Sequence, residues 1–270
     1  PQSARSAVTV PMLLQMKRNR ERIATLTAYD ASFARAMDHA GIDAVLVGDS
    51  LGMVIKGGAN TVSVSIDDMV YHSRCVAQGL QSALLIADMP FQSYATPERA
   101  LDAATALLSE GMASMVKLEG AGFVLDAIAF LSERDIPVCA HLGLTPQSVL
   151  KLGGFKVQGR DEQAALAIIE QAKQVERAGA QLLVLECLPS SLAKSVTETV
   201  GIPTIGIGAG PDCDGQILVS YDALGINSGH RRPRFVKDFL AGNGSIDAAF
   251  AQYVRDVKSG EFPVLEHGYA

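Results

Sequence analysis

Short apolar runs recur along this chain, and five of them end on residues able to do chemistry. Positions 45–47 lead into Gly48-Asp49-Ser50, 84–87 into Asp88, 115–116 into Lys117-Leu118-Glu119, 137–140 into His141, and 182–185 into Glu186. Runs without polar alternation read as strands buried on both faces, so that only their ends meet solvent. Strands are predicted over 22–27, 44–47, 83–87, 114–118, 136–140, 182–185, 203–207 and 216–219.

Between the strands the spacing turns helical. Helices are predicted over 31–39, stopped by Gly41, and over 66–78, with Ser65 as N-cap and Asp67 and Asp68 in the first turn. Others start at Thr96-Pro97-Glu98 and stop at Gly111, or run over 123–134, 161–178 and 191–200, with one or two more across 235–257. About eight such units predict an α/β fold: a (β/α)8 TIM barrel, one domain over 1–270 with a short N-terminal lead-in and C-terminal helices. The long connections at 48–64 and 141–160 are rich in glycine, and the second reads as a lid or binding loop.

Composition narrows the function. With 48% hydrophobic and 19% charged residues the chain is a folded globular type. A net charge of −6 without a block of Lys or Arg argues against nucleic acid as partner. No apolar stretch approaches the roughly 20 residues that span a bilayer, and positions 1–7 hold no apolar core of a secretory signal. Cys75, Cys139, Cys187 and Cys213 stand alone, which reads as reduced thiols and a cytoplasmic protein.

Asp49 and Asp88 follow separate buried strands, so both reach one rim as an oxygen-rich pair suited to a hard cation such as Mg2+. A single aspartate at a strand end reads better as a helix cap; two of them, with a third acidic strand end at Glu119, shift the balance to a metal. Lys117 and Glu119, two apart on one strand, share a face and either neutralise each other or act on substrate. His141 alone could be structural, and although Cys139 shares its face, no second Cys/His pair completes a zinc set. Glu186 stands where a general acid or base is wanted, or else charges the start of the next helix. Gly206-Ile207-Gly208-Ala209-Gly210 lacks the spacing of a dinucleotide loop and reads as a phosphate contact or a close approach to the backbone.

Longer strings are specific. Thr27-Ala28-Tyr29-Asp30, Leu46-Val47-Gly48-Asp49-Ser50-Leu51-Gly52-Met53, Ala87-Asp88-Met89-Pro90-Phe91 with Ser93-Tyr94, and Lys117-Leu118-Glu119-Gly120 occur in that order. His141-Leu142-Gly143-Leu144-Thr145-Pro146-Gln147, Lys156-Val157-Gln158-Gly159-Arg160, Leu185-Glu186-Cys187 and Ile205 to Gly210 follow. Together, from about Thr25 to Phe262, they resemble the ketopantoate hydroxymethyltransferase family of the phosphoenolpyruvate/pyruvate barrel superfamily.

The resemblance implies Mg2+-dependent transfer of a one-carbon unit from the co-substrate 5,10-methylenetetrahydrofolate to 3-methyl-2-oxobutanoate, giving 2-dehydropantoate through a Mg2+-stabilised enolate. By motif it implies Asp49 and Asp88 as metal ligands and substrate contacts, with Glu119 in or next to the coordination sphere. It implies Ser50 on the substrate carboxylate, Lys117 and His141 around the keto-acid oxygens, and Glu186 in proton transfer. A homo-oligomer, a decamer of stacked pentamers, is implied too. Departures from the pattern are Ala121 for a second glycine, Phe155 for tyrosine, and the basic segment His230-Arg231-Arg232-Pro233.

Two other readings compete. A lyase or mutase of the same superfamily would place a cysteine in its mobile loop, and 141–160 holds none. A barrel that only binds a small acid would have to carry four strand-end carboxylates without using a cation, which is costly.

Overall fold

A computed structural model describes residues 5–226 and 232–270. The first four residues of the N-terminal stretch, and His230 and Arg231 of the basic segment, lie outside the described residues. Eight strands, β1 (Ile23–Thr27), β2 (Ala44–Val47), β3 (Leu84–Asp88), β4 (Met115–Glu119), β5 (Val138–Gly143), β6 (Leu182–Glu186), β7 (Thr204–Ile207) and β8 (Gly215–Leu218), form a closed parallel barrel in sequence order. β1 pairs with β8 to close it.

Alternation along these strands divides the core in two. Leu46, Ile86, Met115, Cys139, Leu182, Val184, Ile205 and Ile217 fill the interior, which retains a void of only about 10 Å³. Val45, Leu85, Val116, Ala140 and Leu183 face outward, into the larger core shared with the helices. The interior parity continues upward from Ile86 to Asp88, from Met115 to Lys117 and Glu119, from Cys139 to His141, and from Val184 to Glu186. Polar groups therefore end the barrel's own core, because a side chain two residues on points the same way.

The helices are α1 (Val10–Asn19), α2 (Ala31–Ala40), α3 (Leu51–Val54), α4 (Ile66–Ala77), α5 (Pro97–Ser109), α6 (Val124–Ser132), α7 (Val149–Leu152), α8 (Glu162–Arg177), α9 (Ser190–Thr199), α10 (Ser220–Ala223) and α11 (Ile246–Ser259). Local chemistry explains several starts: Asp30 caps α2, Ser65 and Asp68 form a capping box on α4, and Thr96 precedes proline at the start of α5.

Several elements differ from the sequence expectation. The lead-in contains α1, whose Leu13 joins Val8, Ile23 and Leu84 in the interior core and plugs the amino-terminal end; burying one such leucine contributes roughly 1.5–3 kcal/mol. Lys17 holds this helix in place by donating to Asp214 Oδ2 at 2.8 Å and the Thr197 carbonyl at 2.9 Å. The loop at 48–64 carries α3, and β5 runs on to Gly143 before a helical turn, Pro146–Ser148, and α7 shorten the irregular part of 141–160. Across 235–257 only α11 is helical, because Gly242-Asn243-Gly244 breaks the chain before the Ser245 cap. There Tyr253 donates its hydroxyl to the carbonyls of Thr25 and Gln216 (2.8 and 3.0 Å), fastening α11 across the β1–β8 seam.

Candidate active site

The carboxyl-terminal rim gathers Asp49, Asp88, Lys117, Glu119 and His141, none more than 6% exposed, with Glu186 half-buried beside them. Parallel register sets these neighbours: Asp88 lies opposite Lys117, and Glu119 opposite His141. Lys117 Nζ donates to Asp88 Oδ1 at 2.5 Å and lies 3.9 Å from Glu119 Oε1. The backbone N–H of Asp49 donates to Asp88 Oδ2 at 3.0 Å. Gly48 permits this approach, since a Cβ there would sit 2.8 Å from Ser50 Oγ and 3.4 Å from Asp88 Oδ2.

His141 stands between two carboxylates, with Nδ1 3.5 Å from Glu119 Oε1 and Nε2 3.2 Å from Glu186 Oε2. These are ion-pair distances without hydrogen-bond alignment, so both ring nitrogens and Glu119 Oε1 are buried and lack a bonded partner. Glu186 reaches the imidazole because Gly143, at a φ of 95°, lets β6 pass close: a Cβ there would come within 2.2 Å of the Glu186 carbonyl.

Electrostatics follow from this crowding. Burial, then the charges of Asp88 and Glu119, hold Asp49 well above the usual carboxylate range. Burial pulls the Lys117 ammonium down, but Asp88, Glu119 and Asp49 outweigh it and lift the group, so it stays charged. Burial and Lys117 also oppose charge on His141, yet Glu119 and Glu186 prevail and push it up to about 9, leaving an imidazolium at neutral pH. Burial raises Glu119, while His141, Lys117 and the Gln147 N–H together bring it below its ordinary value.

Asp49 and Asp88 are the oxygen donors best placed for a hard cation, which would relieve the like charge that holds Asp49 up. Among the described residues no group of three or more His, Cys, Asp or Glu side chains is arranged to hold a metal ion. An open pair of carboxylates fits Mg2+, which keeps waters and takes further oxygens from substrate. The unpartnered Glu119 Oε1 adds a buried acceptor to the same pocket.

Ser50 lies beside the pair, its hydroxyl 2.8 Å from that of Tyr29. The glycines after β7 pack against protein: a Cβ on Gly208 would strike Phe235 and one on Gly210 would strike Ser190. Ala121 packs at the edge of the outer core, and Phe155 is exposed. Sequence reasoning assigned no role to Tyr29, Tyr94 or Gln147, although all three lie in the motif strings; their meaning depends on contacts between distant loops. The four cysteines are free, and among the described residues no helix is long and apolar enough to cross a membrane.

Comparison with known proteins extends the picture. The family model for ketopantoate hydroxymethyltransferase matches residues 7–264. The 3-methyl-2-oxobutanoate hydroxymethyltransferase of Stenotrophomonas maltophilia is 59% identical over 262 residues, covering 97% of this chain and 96% of the relative. That of Xylella fastidiosa is 59% identical over 261 residues, with the same coverage. A solved structure described as a putative phosphonomutase from Burkholderia cenocepacia shares the fold, with a TM-score of 0.63 at 16% identity, over 81% of this chain and 95% of that one. A match that runs through every rim motif at such identity leaves one assignment: the chain belongs to the ketopantoate hydroxymethyltransferase family.

Proposed function

We propose that the enzyme transfers a one-carbon unit from 5,10-methylenetetrahydrofolate to 3-methyl-2-oxobutanoate, giving 2-dehydropantoate by way of an enolate that Mg2+ stabilises. The gathering of Asp49, Asp88, Lys117, Glu119, His141 and Glu186 on one rim, in a chain whose relatives bear that transferase's name, carries the reading. Asp49 and Asp88 would hold Mg2+, with Glu119 supporting the same site. When bound, the ion supplies Lewis-acid stabilisation of negative charge on the keto oxygen.

The residues divide the remaining work. Ser50, held by Tyr29, receives the substrate carboxylate. Lys117, fixed by Asp88 and charged, offers preorganised positive charge to the substrate oxygens. Glu186 takes the hydrogen on C3 as a proton, and the charged His141 beside its Oε2 holds the carboxylate in place. The enolate carbon bonds to the methylene carbon of the folate, both of that carbon's bonds to nitrogen break in turn, and the two nitrogens gain one proton each, one from C3 by way of Glu186 and one from water. One water is consumed, and its oxygen becomes the new hydroxyl. A homo-oligomer, as the decamer of the resemblance, and a cytoplasmic location belong to the same proposal.

The test is a product assay with the 2-oxo acid, methylenetetrahydrofolate and Mg2+. Formation of 2-dehydropantoate and tetrahydrofolate, lost with EDTA and restored by Mg2+, is the expected result. No product, or full activity in EDTA, overturns the reading.

A further inference from the structure

After β5 the chain folds back over the rim, and the turn Pro146–Ser148 inserts Gln147, 5% exposed, among the carboxylates. A primary amide buried this deeply is costly unless bonded, and the side-chain amide and backbone N–H of Gln147 all have defined partners. Nε2 donates to Asp49 Oδ2 at 2.9 Å and to the Met89 carbonyl at 3.0 Å. Oε1 accepts from the Tyr94 hydroxyl at 2.5 Å, and that hydroxyl in turn accepts from the backbone N–H of Glu119 at 3.4 Å. The backbone N–H of Gln147 donates to Glu119 Oε2 at 3.0 Å.

The result is a closed ring of donors and acceptors that joins the ends of β2, β3 and β4 through one residue following β5. It also divides the carboxylate oxygens: Gln147 engages Asp49 Oδ2 and Glu119 Oε2, while Glu119 Oε1 is left unpartnered toward Lys117 and His141. The bond from Tyr94 fixes which end of the amide faces Asp49, because a flipped amide would set its oxygen against two acceptors.

We infer that Gln147 is a positioning residue of this active site, clamped by Tyr94, that aims the Asp49 and Glu119 carboxylates toward a bound divalent cation. The inference rests on the reading of Asp49 as a cation ligand. Partners of metal ligands typically carry about 10–100-fold in affinity or activity, and the ring gives Gln147 that relation to two acidic groups at once.

The experiment uses Mn2+ as the probe, with affinity read by electron paramagnetic resonance on the full-length enzyme, alongside kcat, KM and Tm. Gln147→Ala is expected to weaken Mn2+ binding and lower kcat by about 10–100-fold, with little change in KM for the 2-oxo acid. Tyr94→Phe, which removes one neutral hydrogen bond and keeps the amide, is expected to cost about 2–10-fold in both. Wild-type Mn2+ affinity in both variants, or losses that merely follow Tm, overturns the inference while leaving the cation reading intact. If Gln147→Ala does not fold, Tyr94→Phe carries the test. A wild-type enzyme that binds no Mn2+ overturns the cation reading, and the inference falls with it.

Discussion

Strand β2 has an aspartate at each end, and the two are treated in opposite ways. Asp43, just before the strand, is 1% exposed and paired with both Arg5 and Lys258, while its Oδ2 accepts from the Ala24 N–H at 2.8 Å. Asp49, just after the strand and 3% exposed, faces Asp88 and Glu119, with Gln147 as its side-chain donor. Counter-charge saturates the first site, which ties the N-terminal segment and α11 to the barrel floor. The second is left under like-charge stress, which the fold tolerates only because the rest of the barrel is well packed. Burial alone therefore does not mark function; a buried acid lacking sufficient counter-charge does.

This contrast can be broken from either side. Asp49→Asn is expected to lower turnover by about 10³-fold or more, since it removes a proposed cation ligand. The same change relieves repulsion, so unfolding stability should hold or rise by up to about 1 kcal/mol in urea titrations. A clear loss of stability would make Asp49 structural. Glu186→Gln is expected to slow turnover by about 10²–10⁴-fold with an unchanged Tm and unchanged Mn2+ affinity. Wild-type turnover would remove Glu186 from proton transfer.

Asp43→Asn should do the reverse of Asp49→Asn. Because the Arg5 and Lys258 side chains are 37% and 35% exposed, the loss is expected near the low end for a broken buried pair, about 2–3 kcal/mol. Turnover per folded molecule should be unaffected, as measured by activity normalised to the folded fraction.

The smallest effect concerns a surface acid. Asp68 is lowered to about 2 by its bonds to Lys56 and to the Ser65 N–H and hydroxyl. A carboxylate lowered on folding adds stability that is present above its unfolded pKa, roughly 4, and is lost as pH falls through the folded value. Asp68→Asn should cost about 1 kcal/mol at pH 7, mainly as a lost helix cap because solvent screens the Lys56 pair. Urea midpoints of variant and wild type should converge as pH falls toward 2.

Much of the barrel was legible in the chain because the strands are buried on both faces and five of the apolar runs lead directly into polar or charged residues. Parity alone put Lys117 with Glu119, and Cys139 with His141, on shared faces, as the interior core and rim now have them. Helix α1 was not legible: its run Gln15-Met16-Lys17-Arg18 mixes charge with a single deeply buried leucine, Leu13, and only the barrel floor gives that leucine a partner. The turns at 235–245 read as helix because Phe235, Val236 and Phe239 are apolar, yet they are buried as loop residues under α11. Gln147 was invisible as a site residue for a different reason. Its partners Asp49, Met89, Tyr94 and Glu119 come from three other strand ends, and no local spacing encodes that convergence.

The central claim is that the acidic rim exists to take a proton from C3 of a 2-oxo acid held there by a divalent ion. Exchange of that hydrogen in deuterated water, followed by NMR on 3-methyl-2-oxobutanoate without any folate, tests it most directly. Rapid exchange that requires both the wild-type enzyme and Mg2+ is the predicted result; exchange at the uncatalysed rate with enzyme and metal present would contradict it.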